Sequence, residues 1–200
     1  ITINCLLLST TRLFVVLFFK GDVILQIIVL VIALIIALYR GGNLKSVPKF
    51  KKYWILIFPV LFEVIAIIFP RFAPFFASIS YVGVIAFLAA NWSIPDLRLV
   101  LIGVSMNALV IWVNGGIMPV MHYIPHNLIH HGSAYQYNEY WHGFLTSKTI
   151  FPLLADIIYI PYPIPTLLSC GDIFLFSGIV LLIQRLMGVP VKLSKLAGVE

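Results

Sequence analysis

Charge is what this chain has least of. Only 10% of its 200 residues are Asp, Glu, Lys or Arg, against about 25% in an ordinary soluble domain. A surface so poor in charge is not built to face water. Cysteine is almost missing too. Cys5 and Cys170 stand far apart and outside any CxxC pair, which excludes a disulfide scaffold or a zinc ribbon. Nucleotide, dinucleotide and haem signatures are absent, and Gly41-Gly42 is too short for a phosphate loop. No cofactor is expected.

The net charge of +6 raises the question of nucleic acid. The positive residues, however, sit in short hydrophilic gaps rather than across one face, as topology signals do. The expected partner is the lipid bilayer, not nucleic acid.

What the chain does have is apolar length. Hydrophobic residues make up 62% of it, and the mean hydropathy is +1.07. Four spans stand out: Val23 to Tyr39, Tyr53 to Phe69, Phe72 to Ala90 and Leu97 to Val113. Seventeen helical residues reach about 25 Å, slightly under a hydrocarbon core of about 30 Å. Tyr39, Tyr53, Trp54, Trp92 and Trp112 at the span ends fit the aromatic belt that makes up the difference. A fifth span is Ile173 to Met187, with Arg185 placed to snorkel outward.

The fold class expected is therefore all-α: a polytopic helical membrane protein of about five transmembrane helices. The loop from Arg40 to Lys52 carries five positive charges and no acid, which predicts a cytoplasmic position. Alternation then returns Arg185, Lys192 and Lys195 to the cytoplasm, so two basic clusters agree. The segment 114–172 between the last two spans becomes extracytoplasmic, read as short interfacial helices or a re-entrant piece. Residues 23–187 form a single membrane domain of the bacterial cytoplasmic (inner) membrane, and 188–200 a cytoplasmic tail. Residues 1–22 are apolar but interrupted by Arg12, and no Met precedes Met106. Two readings stand for them: translated upstream sequence with Val23 as the true start, or an extra helix or signal-like segment.

Candidate site residues follow from polar groups in apolar surroundings. Asn107 and Asn114 lie two helical turns apart on one face, so both amides are expected against other helices or an outer pocket. Gly115 and Gly116 supply a positive-φ cap, and Pro119 stops the helix. Asp156 and Asp172 each sit in an apolar setting, where a carboxylate costs a few kcal/mol unless satisfied. Asp172 opens the last span, so it is either a helix cap or one of an aspartate pair sharing a proton and activating water. His142 is placed to orient Asp156 or a substrate group. His122, His126 and His130, with His131 alongside, have the i, i+4 spacing of weak zinc candidates, but Pro125 interrupts them and an interfacial polar face is the plainer reading. Glu63 within the second span is expected to face a helix partner.

The motifs "RGGNL" at Arg40, "MNALVIWVNGGIMPV" at Met106, "HGFLTSKTIFPLLADIIYIP" at His142 and "SCGDIFLFSG" at Ser169 together carry a likeness. They resemble a family of bacterial membrane proteins of unassigned activity, Domain of Unknown Function 5317, over roughly Val23 to Met187. Carried over by position, the resemblance marks Asn107, Asn114, Gly115, Gly116, Met118, Pro119, His142, Asp156, Gly171 and Asp172. Ile117 stands where that family commonly has Arg, so an Arg–Asp ion pair is not available at this position. A weaker likeness is to the lipoprotein signal peptidase, which is similar in having two late aspartates, the second at the outer start of an inward-running last helix. That likeness implies a membrane-embedded hydrolase using Asp156 and Asp172. The alternative is a non-enzymatic membrane component, such as a transport accessory or assembly protein, in which the same residues pack and cap.

Overall fold

A computed structural model describes residues 23–43, 49–121, 142–161 and 166–191. Residues 1–22, the tail from 192 and the histidines at 122, 126, 130 and 131 lie outside the described residues. Within them the protein is mostly helical: α1 (Val23–Tyr39), α2 (Ile57–Ile68), α3 (Ala73–Ala90), α4 (Pro95–Val113) and α5 (Cys170–Leu186). Single 3-10 turns, Tyr53–Leu56 and Pro70–Phe72, lead into α2 and α3. Pro74 and Pro95 occupy the first turns of α3 and α4, where a missing N–H costs nothing and a fixed φ starts the helix.

Neighbouring helices form a row, α2 on α3, α3 on α4, α4 on α5, and α5 on α1. Residue pairings set the directions. Glu63 meets Ser80 and Gly83 abuts Pro59, so α2 and α3 are antiparallel. Gly116 abuts Pro74 while Trp112 donates to the Ser78 carbonyl, so α4 runs against α3. The end of α1 bonds the end of α5 through Asn43 N–H and the Met187 carbonyl, so those two are parallel. One end of the bundle thus gathers Arg40, Lys51, Lys52, Arg98 and Arg185; call it the basic end.

The closest approach is between α4 and α5. A Cβ on Gly103 would lie 2.4 Å from the Gly171 carbonyl oxygen and 2.6 Å from Leu175 N. One on Gly178 would lie 2.6 Å from Val100 Cγ2 and 2.7 Å from Val100 N. Gly171, Gly178 and Arg185 recur every seven residues along one stripe of α5. Small residues there let two backbones touch, as in packed membrane helices.

Polar contacts close the seam at both ends. At the basic end Arg185 is ion-paired with Asp96, its Nη2 also 3.4 Å from Asp96 Oδ1; Arg185 does not simply snorkel outward, because a buried carboxylate one helix away claims it. Gln184 beside it donates to the Ala33 carbonyl (2.8 Å) and accepts from Arg40 Nη1 (2.8 Å), tying α1 to α5. Asn91 grips the Lys51 backbone through both N–H (2.7 Å) and C=O (2.9 Å).

Apolar side chains fill the core and also cover much of the exterior, while some polar side chains are buried. Ile35, Leu61, Ile68, Phe75 and Val82 are each half exposed or more, while Glu63, Ser80, Asn107 and Gln184 are buried. Two helical stretches, Pro70–Ala90 and Pro95–Val113, are long and apolar enough to cross a membrane.

The all-α expectation needs one correction. Part of the segment 114–172 is strand rather than interfacial helix: β1 (Met118–Val120) pairs in parallel with β2 (His142–Phe144), and β3 (Ile158–Ile160) pairs antiparallel with β4 (Thr166–Leu168). Each strand has three residues. Prolines at 119, 152 and 161 deny this stretch a continuous helical ladder, so its backbone groups pair between segments instead.

Gly178→Leu should lower stability by about 2 kcal/mol through overpacking of the seam, read as a fall in melting temperature of the purified protein in detergent. An unchanged melting temperature would contradict the close α4–α5 contact.

Candidate functional site

The end opposite the basic cluster holds most of the residues singled out in the sequence. It begins where α4 stops. Gly115 and Gly116 take φ of +79° and +86°, and the Gly116 N–H reaches back to the Ile111 carbonyl at 2.8 Å. That is the expected positive-φ cap. Asn114 closes the helix and its side chain clamps Ile150, accepting from Ile150 N–H (2.9 Å) and donating to its carbonyl (2.9 Å). It also donates to the Val110 carbonyl (2.7 Å). The Asn114 amide therefore holds a loop, not another helix, and does not share partners with Asn107.

Met118 and Pro119 lie in β1, buried. β1 is flanked on one side by β2, Met118 opposite His142, and on the other by Asp156, which bridges Val120. Asp156 N–H donates to the Pro119 carbonyl and Met121 N–H to the Asp156 carbonyl, both at 3.0 Å. His142 and Asp156 thus sit on opposite edges of one short strand. Immediately beyond Asp156 the β3–β4 hairpin begins. Ile157 N–H bonds the Leu168 carbonyl (3.2 Å), so the base of the hairpin brings Asp156 to the start of α5.

There Asn107, Ser169 and Asp172 form a closed ring. Asn107 Nδ2 donates to Asp172 Oδ1 (2.8 Å); Ser169 Oγ lies 2.8 Å from both Asn107 Oδ1 and Asp172 Oδ2. The backbone completes a capping box: Asp172 N–H donates to Ser169 Oγ (3.0 Å) and Ser169 N–H to Asp172 Oδ2 (2.9 Å). Ser169, not Asp172, is the N-cap. Gly171 fits against the Asn107 side chain, where a Cβ would be 2.0 Å from Oδ1. Asp172 precedes the apolar run that starts at Ile173. Removal from water pushes its carboxyl up, opposed by the hydrogen bonds from Ser169 and Asn107.

Two residues that sequence reading passed over complete the site. Ser169 was marked by its own spacing, Ser-x-x-Asp ahead of an apolar run. Tyr81 of α3 carried no local signal, yet it lies within electrostatic reach of Asp172, Asp156 and Glu63. Glu63 itself accepts from Ser80 Oγ at 2.6 Å, the helix partner expected for it. Among the described residues no three His, Cys, Asp or Glu side chains converge as a metal site.

The described residues form a mostly helical bundle with an apolar exterior, two helices of crossing length and a polar ring at one end. The chain belongs to the family of unknown function DUF5317, whose model matches residues 48–184. It is also 29% identical over 157 residues, 78% of this chain and 88% of the relative, to an uncharacterized protein of Thermotoga maritima. No solved structure matches it.

Proposed function

We propose that this chain is a multi-pass protein of the bacterial cytoplasmic membrane with five crossings, acting as a non-enzymatic component such as a transport accessory or assembly protein. The observation that carries the reading is the apolar exterior of the bundle together with its helix-to-helix polar bonds. Its exterior is aliphatic and aromatic, and the buried side chains of Glu63, Asn107 and Gln184 make bonds from one helix to another. Lipid on the outside and satisfied polar groups within are what a spanning bundle requires. The helix directions agree with alternate crossings, and the basic end fits the cytoplasmic side by the positive-inside rule. The opposite end, with the strands and the Asn107–Ser169–Asp172 ring, then faces out. Both oxygens of Asp172 are engaged in that ring and the capping box, which favours a structural role over water activation.

One observation supports a second reading, a membrane-embedded hydrolase with an aspartate pair. The hairpin carries Asp156 to the start of α5, where Asp172 lies in the first turn.

Sidedness is tested with single cysteines at Lys51 and Lys148 in a chain whose Cys5 and Cys170 are serine. A membrane-impermeant maleimide should label position 148 in intact cells and position 51 only after permeabilisation; the reverse pattern rejects the orientation. Asp156→Asn separates the two functional readings. A structural role predicts reduced protein abundance, whereas loss of a cellular phenotype at normal abundance would favour the hydrolase.

A further inference from the structure

We propose that Asp172 holds a proton in the folded protein, which makes the Asn107–Ser169–Asp172 ring a pH-sensitive lock on the α4–α5 contact. Its exposure to the pH outside the cell rests on the orientation proposed above; the proton count does not.

The ring has three contacts, Asn107 to Asp172, Asn107 to Ser169 and Ser169 to Asp172, each 2.8 Å long. Contacts that short between nitrogen and oxygen atoms each need a hydrogen. The Asn107 amide has its nitrogen in one contact and its oxygen in another, so it supplies one hydrogen to the ring. The Ser169 hydroxyl supplies one more, and an ionised carboxylate supplies none. Two hydrogens cannot fill three contacts.

Turning the amide over does not help. With the Asn107 nitrogen on Asp172, Asn107 Oδ1 and Asp172 Oδ2 compete for the single Ser169 proton. With the amide reversed, its nitrogen serves Ser169 and its oxygen is left facing Asp172 Oδ1. The backbone N–H groups of residues 169 and 172 are already directed at Asp172 Oδ2 and Ser169 Oγ. A proton on the Asp172 carboxyl fills the remaining contact in either orientation.

Among the described residues, the side chains and backbone groups that hydrogen-bond to the ring carry no positive charge. On its own helix the Cys170 thiol is turned to the Leu153 carbonyl (3.6 Å), in the turn Pro152–Leu154. From α4 the facing group is the neutral Asn107, and the first turns of α1 carry no titratable side chain. α3 contributes Tyr81, with Asp156 and Glu63 around it. When the proton leaves for water, two oxygens are left 2.8 Å apart without a hydrogen. The ring must open beside Gly171, the residue through which α5 rests on Gly103 and Asn107.

The sign follows. A carboxyl that binds its proton more tightly when folded adds stability in acid and loses that contribution as pH rises through its folded-state value. The test is Asp172→Asn in the full chain, purified in detergent and melted across pH beside wild type and Asp172→Ala. An asparagine brings the third hydrogen permanently: its nitrogen donates to Asn107, Asn107 donates to Ser169, and Ser169 donates back. Asp172→Asn should melt within about 2 °C of acidic wild type and stay level as pH rises, while wild type falls by about 3 °C or more and Asp172→Ala is lower from the start. Asp172→Asn melting as low as Asp172→Ala, or wild type no steeper with pH than Asp172→Asn, would overturn the proposal. Infrared titration of wild type needs no variant to fold. The carbonyl stretch of a protonated acid should be present at the pH of greatest stability and disappear with the fall in melting temperature; no such band at that pH also overturns it.

Discussion

The antiparallel contact of α4 with α5 is the constraint on which the other elements depend. Gly103, Gly171 and Gly178 bring two backbones close enough that a single methyl at any of them would collide. Such a contact is dry, so the polar groups needed to fix its register are pushed to its ends. Asp96 and Arg185 occupy one end, Asn107, Ser169 and Asp172 the other. The remaining pieces attach to this pair. α1 is held to α5 through Gln184, α3 packs on α4, and the β3–β4 hairpin runs directly into the Ser169 cap. The fold is a clamped pair with outer helices added.

This arrangement gives the polar and charged groups buried between the helices a partner on a neighbouring helix. In an apolar interior an unpartnered carboxylate or amide is costly, and a partnered one fixes geometry. Glu63 is bonded to Ser80 across α2 and α3, Asp96 to Arg185 across α4 and α5, and Gln184 to Ala33 across α5 and α1. The polar residues marked in the sequence are placed by the same contacts: Asn114 holds a loop, Asn107 and Asp172 hold a helix start, and Asp156 sits at the crossing of β1 and the hairpin.

Much of the helical frame could be read directly. Val23–Tyr39 appears with the expected bounds, and the Gly115-Gly116 cap takes the positive φ its residues suggested. Helix interiors announce themselves by long apolar runs, and caps by short local patterns. The strands gave no such signal. Three residues are too few to show a two-residue period, and aromatic, proline-rich sequence at 142–168 suits an interfacial helix equally well. The site was legible in part. Ser169 stood in an open capping pattern, and the seven-residue recurrence of Gly171, Gly178 and Arg185 marked a seam on α5. Its partners could not be seen: Asp96 lies 89 residues from Arg185, and Asn107 lies 65 residues from Asp172.

The most direct test of the clamped pair is a charge swap across its basic end, measured as melting temperature in detergent. Asp96→Arg and Arg185→Asp should each destabilise the protein, because either leaves like charges together in a half-buried site. The double swap should recover most of the loss. A double variant as unstable as the sum of its parts would show that the two residues do not meet, and α4 and α5 would then not be held as described.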